Sequence, residues 1–469
     1  MKKILNLLLV LVCVFVLIGC GSKSQKLDAP TNLKIEGTVL TWNAVENATK
    51  YRVNISGDAQ LNRVIKVNNA DLSTFNLERG DYSVQVQAIG DGDKYLDSDL
   101  SQTIAYKQGV EEVVTEFKEE ALLNDEYIKW NGRTIYNETK KVNMVFHSAS
   151  GFEVKFIGSS VTTRLYATKS SQPNYRPYVV IVVDDDYDNM RRVGLEAEYT
   201  DLVLVDGITD EEVHKVTLYK SSESTDSHVG VESITTTGTF IPEVEIKDRK
   251  IEFIAASSST GYGNLVGTSV TKTSANSDCM QAFAALTARA LNADFSIYSA
   301  SGWGVKASKW ASYKDTEGGT HCNLFDAYKH YDFLGDYRYT DYNFSLFTPD
   351  VIVINLGTND YSYINDATTE NEKANRLQGF IDQYTDFVLF IHNTYPEAQI
   401  VLVYGIMNEA KEIGDATEAI GAELRKTIPT LKVLKTSGDG KGSNYHPSLT
   451  SHKKISDDLI AVIKEAMGW

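Results

Sequence analysis

The chain is poor in cysteine, in proline, in positive charge and in long apolar runs. Four cysteines stand among 469 residues, and two of them, Cys13 and Cys20, fall within the first twenty. That leaves Cys279 and Cys322 for the body, too few for a disulfide-stapled scaffold. One bridge between them or two free thiols are both open, and neither residue has metal-ligand spacing. No metal or other cofactor is implied. Eight prolines exclude a proline-rich stalk. Lys and Arg total 46 against 63 Asp and Glu, a formal net charge of -17. Such acidity disfavours nucleic acid and anionic membrane surfaces as partners and suits a neutral substrate. The longest apolar run, residues 4–18, falls short of the ~20 residues that span a bilayer.

That run has another use. Met1 to Cys20 reads MKKILNLLLVLVCVFVLIGC: two lysines, a signal-length apolar stretch, then Leu17-Ile18-Gly19-Cys20. The ending resembles the bacterial lipobox. The resemblance implies a lipoprotein signal over 1–20, lipidation at Cys20 and a polar tether over 21–28. The protein would then sit on the extracellular face of a bacterial membrane, attached through the lipid alone.

The body is expected to hold three domains. Residues 29–107 alternate short period-2 patterns, such as YRVNI at 51–55 and YSVQVQA at 82–88, with turn residues. Residues 108–120 are polar and acidic and read as a linker. Residues 121–248 are again β-rich, with alternation at 152–158 and 214–220 and a continuous apolar run at 178–183, expected as a sandwich-core strand. From 249 to 469 the character changes. Strand-like runs at 251–254, 295–298, 351–356 and 400–404 alternate with helix-like stretches at 281–291, 380–395 and 455–467. That alternation predicts an α/β three-layer domain with a parallel sheet. Its active site belongs beyond the carboxyl ends of the strands.

Four segments sit at those ends: AASSSTGYG at 255–263, SGWG at 301–304, GTND at 357–360 and YHPS at 445–448. In that order they resemble the SGNH/GDSL hydrolases, over essentially the whole of the final domain. Together with HKVTLYKSSES, LTARALNAD and VIVINLGTNDYSY, they look most like carbohydrate esterase family 2, the acetylxylan-esterase-like group. That family places a jelly-roll sandwich before its hydrolase domain, which is the reading of 121–248. The pattern at 29–107 resembles a fibronectin type III domain, a second β-sandwich.

The resemblance implies catalytic roles, residue by residue. Ser257 aligns with the nucleophile, which needs a base within hydrogen-bond reach, and His446 is the candidate. The backbone N–H of Ser257, the backbone N–H of Gly302 and the side-chain amide of Asn359 match the oxyanion donors. Asp360 reads as structural. Trp303 and Tyr262 are candidates for stacking on a sugar. Two departures stand out. Ala255-Ala256 replaces the family's Gly-Asp before the nucleophile, and Ser443 occupies the place of the usual triad acid, with Asp439 the nearest upstream carboxylate. A Ser-His dyad, with a backbone carbonyl orienting His446 as in members of that family, and a triad are both open. The implied activity is removal of O-acetyl groups from plant-type polysaccharides such as xylan or glucomannan. The rivals are a carbohydrate-binding pseudoenzyme and a lipase or thioesterase of the same superfamily.

Overall fold

The computed structural model describes residues 24–57, 59–78, 80–108, 113–242, 244–310, 323–408 and 410–469. Cys20 and Cys322 lie outside these, and with them the expected lipidation and the Cys279–Cys322 question. The chain divides into two compact units, Met1–Val113 and Val114–Trp469.

The first unit holds two antiparallel sheets. Leu61–Ile65, Lys50–Gly57, Gly80–Ile89 and Ile104–Gln108 form one, and Lys34–Glu36, Val39–Thr41 and Asn69–Asp71 the other. The period-2 pattern is realised directly. Tyr51, Val53, Ile55, Val84, Val86 and Ala88 turn inward, and each fully buried Val or Ile contributes about 1.5–3 kcal/mol. Leu40 and Trp42 join that core from the smaller sheet, the indole meeting Tyr51 edge-on at 5.3 Å.

The second unit begins with two six-stranded antiparallel systems. One includes Val142–Val145, Val229–Thr236 and Val161–Ala167; the other includes Gly151–Ile157, His214–Lys220 and Tyr178–Val183. Part of the stretch expected as linker belongs here. Glu116–Lys118 pairs with Val229–Thr236 because Phe117 is apolar enough to bury, packing 4.9 Å from Phe240. The unbroken apolar run at Tyr178–Val183 is the sandwich-core strand expected, and it serves a second core as well. Val179 and Ile181 enter the core between the sheets, whereas Val180 and Val182 face the α/β domain. Both faces of this strand are buried.

The α/β domain is built on five parallel strands in the order Asp294–Ser299, Lys250–Ala255, Val351–Asn355, Gln399–Tyr404, Lys432–Lys435. Its central strands Val351–Asn355 and Gln399–Tyr404 are buried on both faces. Ile254, Ile352, Ile354 and Leu402 pack beneath helices Glu370–Thr394 and Lys411–Leu424, while Phe253, Val353, Val401 and Val403 pack beneath Phe283–Ala290 and Leu449–Met467. This is the three-layer arrangement that near-continuous apolar strands require. Two helices start earlier than their apolar periodicity suggests, because side-chain caps initiate them. Thr369 Oγ1 accepts the Glu372 N–H at 3.1 Å, and Ser448 Oγ accepts the Ser451 N–H at 3.4 Å. Among the described residues no helix is long and apolar enough to cross a membrane.

Candidate active site

All four segments singled out in the sequence leave the sheet or approach it at the same edge of its strands. Ser257 lies two residues beyond strand Lys250–Ala255, Gly302 follows Asp294–Ser299, and Asn359 stands in the first turn of helix Thr358–Ile364 after Val351–Asn355. His446 ends the short turn Ser443–Tyr445 just before the closing helix.

Ser257 and His446 meet. The Ser257 hydroxyl lies 2.7 Å from Nε2 of His446. Nδ1 of the same ring lies 3.0 Å from the backbone carbonyl of Ser443. A carbonyl accepts only, so Nδ1 carries the hydrogen and Nε2 presents a lone pair to the serine. Burial pushes the imidazole pKa down to about 4, with the Ser443 carbonyl opposing, so the ring is neutral and able to accept a proton at neutral pH. The neighbouring hydroxyls are turned elsewhere, for Ser259 Oγ donates to the Ala256 carbonyl.

Among the described residues no carboxylate meets Nδ1 to complete a triad. Ser443, in the acid's sequence position, is fully buried, and its hydroxyl donates to the Val270 carbonyl at 2.6 Å. Gly263 makes that approach feasible: a Cβ there would lie 2.2 Å from the Ser443 Cβ. Asp439 is committed to the next turn, accepting the Ser448 N–H at 2.9 Å and the Ser448 hydroxyl. Asn444 and Tyr445 both adopt left-handed backbone angles, φ 47° and 63°. Asn444 is secured by its side chain, which donates to the Tyr262 hydroxyl at 3.1 Å. Strain of this kind immediately before a base is held in place by the surrounding contacts.

Asn359 Nδ2 donates one hydrogen to the Trp303 carbonyl at 2.8 Å, which orients the amide and leaves its second hydrogen available. Gly302 sits at φ +83°, a backbone state that favours glycine. Among the described residues neither the Ser257 nor the Gly302 backbone N–H meets an acceptor. Asp360 has the structural role read from the sequence. Its carboxylate accepts the backbone N–H groups of Val305, Lys306 and Ala307 at 2.9, 2.9 and 3.2 Å, bracing the loop after Gly302.

The aromatic assignments change. Of the two readings open for Trp303, a sugar contact or core packing, the second holds: it is 6% exposed and packs on Phe333 at 4.9 Å. Tyr262 spends one ring face on His446, with centroids 4.1 Å apart and planes 19° apart. The exposed aromatics of this region are others. Trp310 is 67% exposed with its Cβ 3.7 Å from where a Cβ on Gly302 would stand, and Tyr445, next to the base, is 74% exposed. Nothing in the local sequence separates an exposed Trp310 from a buried Trp303; only their distance from the strand end differs.

The Ala255-Ala256 departure is absorbed by the loop itself. Ala256 packs in the core beside Tyr298 and Leu356, and its carbonyl accepts the Ser259 N–H at 3.2 Å and hydroxyl at 3.0 Å. The Ser257 carbonyl accepts the Thr260 hydroxyl at 2.9 Å. His452, the other histidine of the C-terminal segment, is a buried acceptor for the Phe283 N–H at 3.3 Å and takes no part. Among the described residues no cluster of His, Cys, Asp or Glu could hold a metal ion.

Comparison with known proteins agrees with this geometry. Residues 258–459 match the GDSL-like lipase/acylhydrolase family. The cellulase/esterase CelE of Acetivibrio thermocellus is 27% identical over 362 residues, 73% of this chain, which spans only 40% of that protein's length. An acetylxylan esterase/glucomannan deacetylase of Cellvibrio japonicus is 24% identical, covering 74% of this chain and 90% of its own. Among solved structures, the acetyl xylan esterase Est2A of Butyrivibrio proteoclasticus superposes with a TM-score of 0.65 at 21% identity, over 76% of this chain and all of that one. A family two carbohydrate esterase of Clostridium thermocellum in complex with cellohexaose gives 0.60 at 24% identity, over 73% and 99%. Residues 258–459 thus resemble a GDSL-like lipase/acylhydrolase domain, in a chain similar to proteins named cellulase/esterase and acetylxylan esterase/glucomannan deacetylase, with the fold of solved carbohydrate esterases.

Proposed function

We propose that the chain is a serine esterase that removes O-acetyl groups from polysaccharides such as xylan or glucomannan. One observation carries this reading: a serine hydroxyl 2.7 Å from a neutral, carbonyl-oriented imidazole. His446 takes the Ser257 proton as the hydroxyl attacks the acetyl carbonyl. The oxyanion forms against the Ser257 and Gly302 N–H groups and the free Asn359 amide hydrogen. As the intermediate collapses, His446 returns the proton to the departing sugar oxygen, leaving an acetyl-serine. Water, deprotonated by the same ring, then releases acetate.

The acetylxylan and glucomannan names of the relatives support this substrate class, and the exposed Trp310 and Tyr445 suit a sugar chain at the rim. The pseudoenzyme reading is less favoured, since the nucleophile loop is held by its own hydroxyls despite Ala255-Ala256. We read 29–107 as a fibronectin type III-like module, 121–248 as jelly-roll-like and Cys20 as a lipid anchor that places the enzyme on the extracellular face of a bacterial membrane. The test is acetate release from acetylated xylan and glucomannan, and from an acetylated aryl ester, by the full chain and by Ser257→Ala. Loss of turnover in the variant is expected; unchanged turnover overturns the assignment.

A further inference from the structure

Glu223 belongs to the loop after strand His214–Lys220 of the sandwich, yet its carboxylate ends in the catalytic domain. Oε2 accepts the Ser301 backbone N–H at 2.9 Å, and Oε1 accepts the Ser301 hydroxyl at 2.9 Å. Oε1 also lies 2.8 Å from Lys272 Nζ. Lys272 pairs with Asp226 as well, and its ammonium stands 5.5 Å from the centroid of the Tyr262 ring. Glu223 is 2% exposed. A carboxylate so buried is stable only when paired and hydrogen-bonded, and three donors supply that here. The network thus touches the loop that carries Gly302 on one side and the ring stacked on His446 on the other.

We infer that Glu223 is a positioning residue: by holding both polar hydrogens of Ser301 it fixes the peptide unit that carries the Gly302 N–H, so the sandwich completes the oxyanion hole of the domain that follows it. Sequence reading treated the sandwich as a separate module because neither its pattern nor the SSES stretch announces a reach across the domain boundary. The kinetic consequence rests on the esterase reading; the structural consequence does not.

The experiment uses the full chain carrying Glu223→Gln or Ser301→Ala. Turnover of a small acetyl ester is normalised to active sites titrated with a serine-directed phosphonate, and deuterium uptake is followed in peptides spanning residues 296–303. Glu223→Gln is expected to lower kcat roughly 10-fold or more, less than deleting an oxyanion donor outright, with KM nearly unchanged. Ser301→Ala, which keeps the backbone bond, should lower kcat less, and the double variant should fall short of the product of the two effects. Uptake over 296–303 should rise in Glu223→Gln. A contact that merely glues the domains would lower the melting temperature and leave kcat per titrated site within twofold; that result, or unchanged uptake over 296–303, overturns the proposal. Should the parent chain hydrolyse no acetyl ester, the esterase reading fails, and the uptake measurement still decides whether Glu223 holds the loop.

Discussion

The rings of Tyr262 and His446 lie stacked, centroids 4.1 Å apart and planes inclined by 19°. The nucleophile loop thereby grips the base twice, once through the Ser257 hydroxyl and once through an aromatic face. In a site without a triad acid, this contact and the Ser443 carbonyl share the task of keeping Nε2 aimed at the serine. Tyr262→Phe keeps the ring and loses only the Asn444 bond, so kcat should change little. Tyr262→Ala should cost about 0.5–1.5 kcal/mol of orientation, up to roughly 10-fold in kcat. Steady-state kinetics on an aryl acetate check both.

The pH profile should carry the mark of burial. The histidine must be unprotonated to accept the serine proton, so kcat/KM falls as pH drops through the pKa of His446 in the free enzyme. Burial lowers that value to about 4. The acid limb is therefore expected near pH 4 and not in the ordinary imidazole range, with a plateau through neutrality. A stopped-assay pH series on an aryl acetate measures it, and a limb near 6.5 would contradict the buried, neutral ring.

Asn359→Ala removes the side-chain donor and also frees the Trp303 carbonyl. It should lower kcat by about 10²–10³ with a small change in KM, since the lost bond is made to the transition state. Asn359→Asp should do no better, because a carboxylate repels the oxyanion. Burst and steady-state kinetics separate acylation from deacetylation in both variants.

Ser443→Asp rebuilds the sequence position of a triad acid, but the structure gives it no opening. The Ser443 hydroxyl faces the Val270 carbonyl in a fully buried site against Gly263. A carboxylate there would be unpaired beside an acceptor, at a cost of roughly 1–3 kcal/mol or more. Lower stability in urea without a gain in kcat is the expected outcome.

Trp310→Ala tests the rim. The indole is exposed next to the Gly302 loop, so its removal should raise KM for acetylated polysaccharide several-fold, with aryl-acetate kinetics unchanged. An equal effect on both substrates would place Trp310 in the machinery and not in sugar binding.

Strand positions were legible wherever burial is one-sided or complete, as at Lys50–Gly57, His214–Lys220 and Val351–Asn355. The meeting of Ser257 and His446 was legible too, because they sit in short segments whose order and contexts are distinctive. Helix Lys411–Leu424 was missed because Gly414 and Gly421 interrupt its pattern. Trp303 stayed open between sugar contact and core because an aromatic beside a site glycine reads the same whether it faces core or solvent. Glu223 was missed for a different reason: its partners Ser301 and Lys272 are remote in sequence, and only folding brings them together.

One of the two groups that hold the His446 imidazole, the Ser443 carbonyl, is part of the main chain. No single codon change deletes a carbonyl, so any residue that fits the buried place at 443 and keeps the turn's shape keeps this acceptor. A carbonyl also has no ionisation of its own. On that side the imidazole is supported by a partner that neither mutation nor acid readily switches off, and that share of its alignment is inherited from backbone curvature.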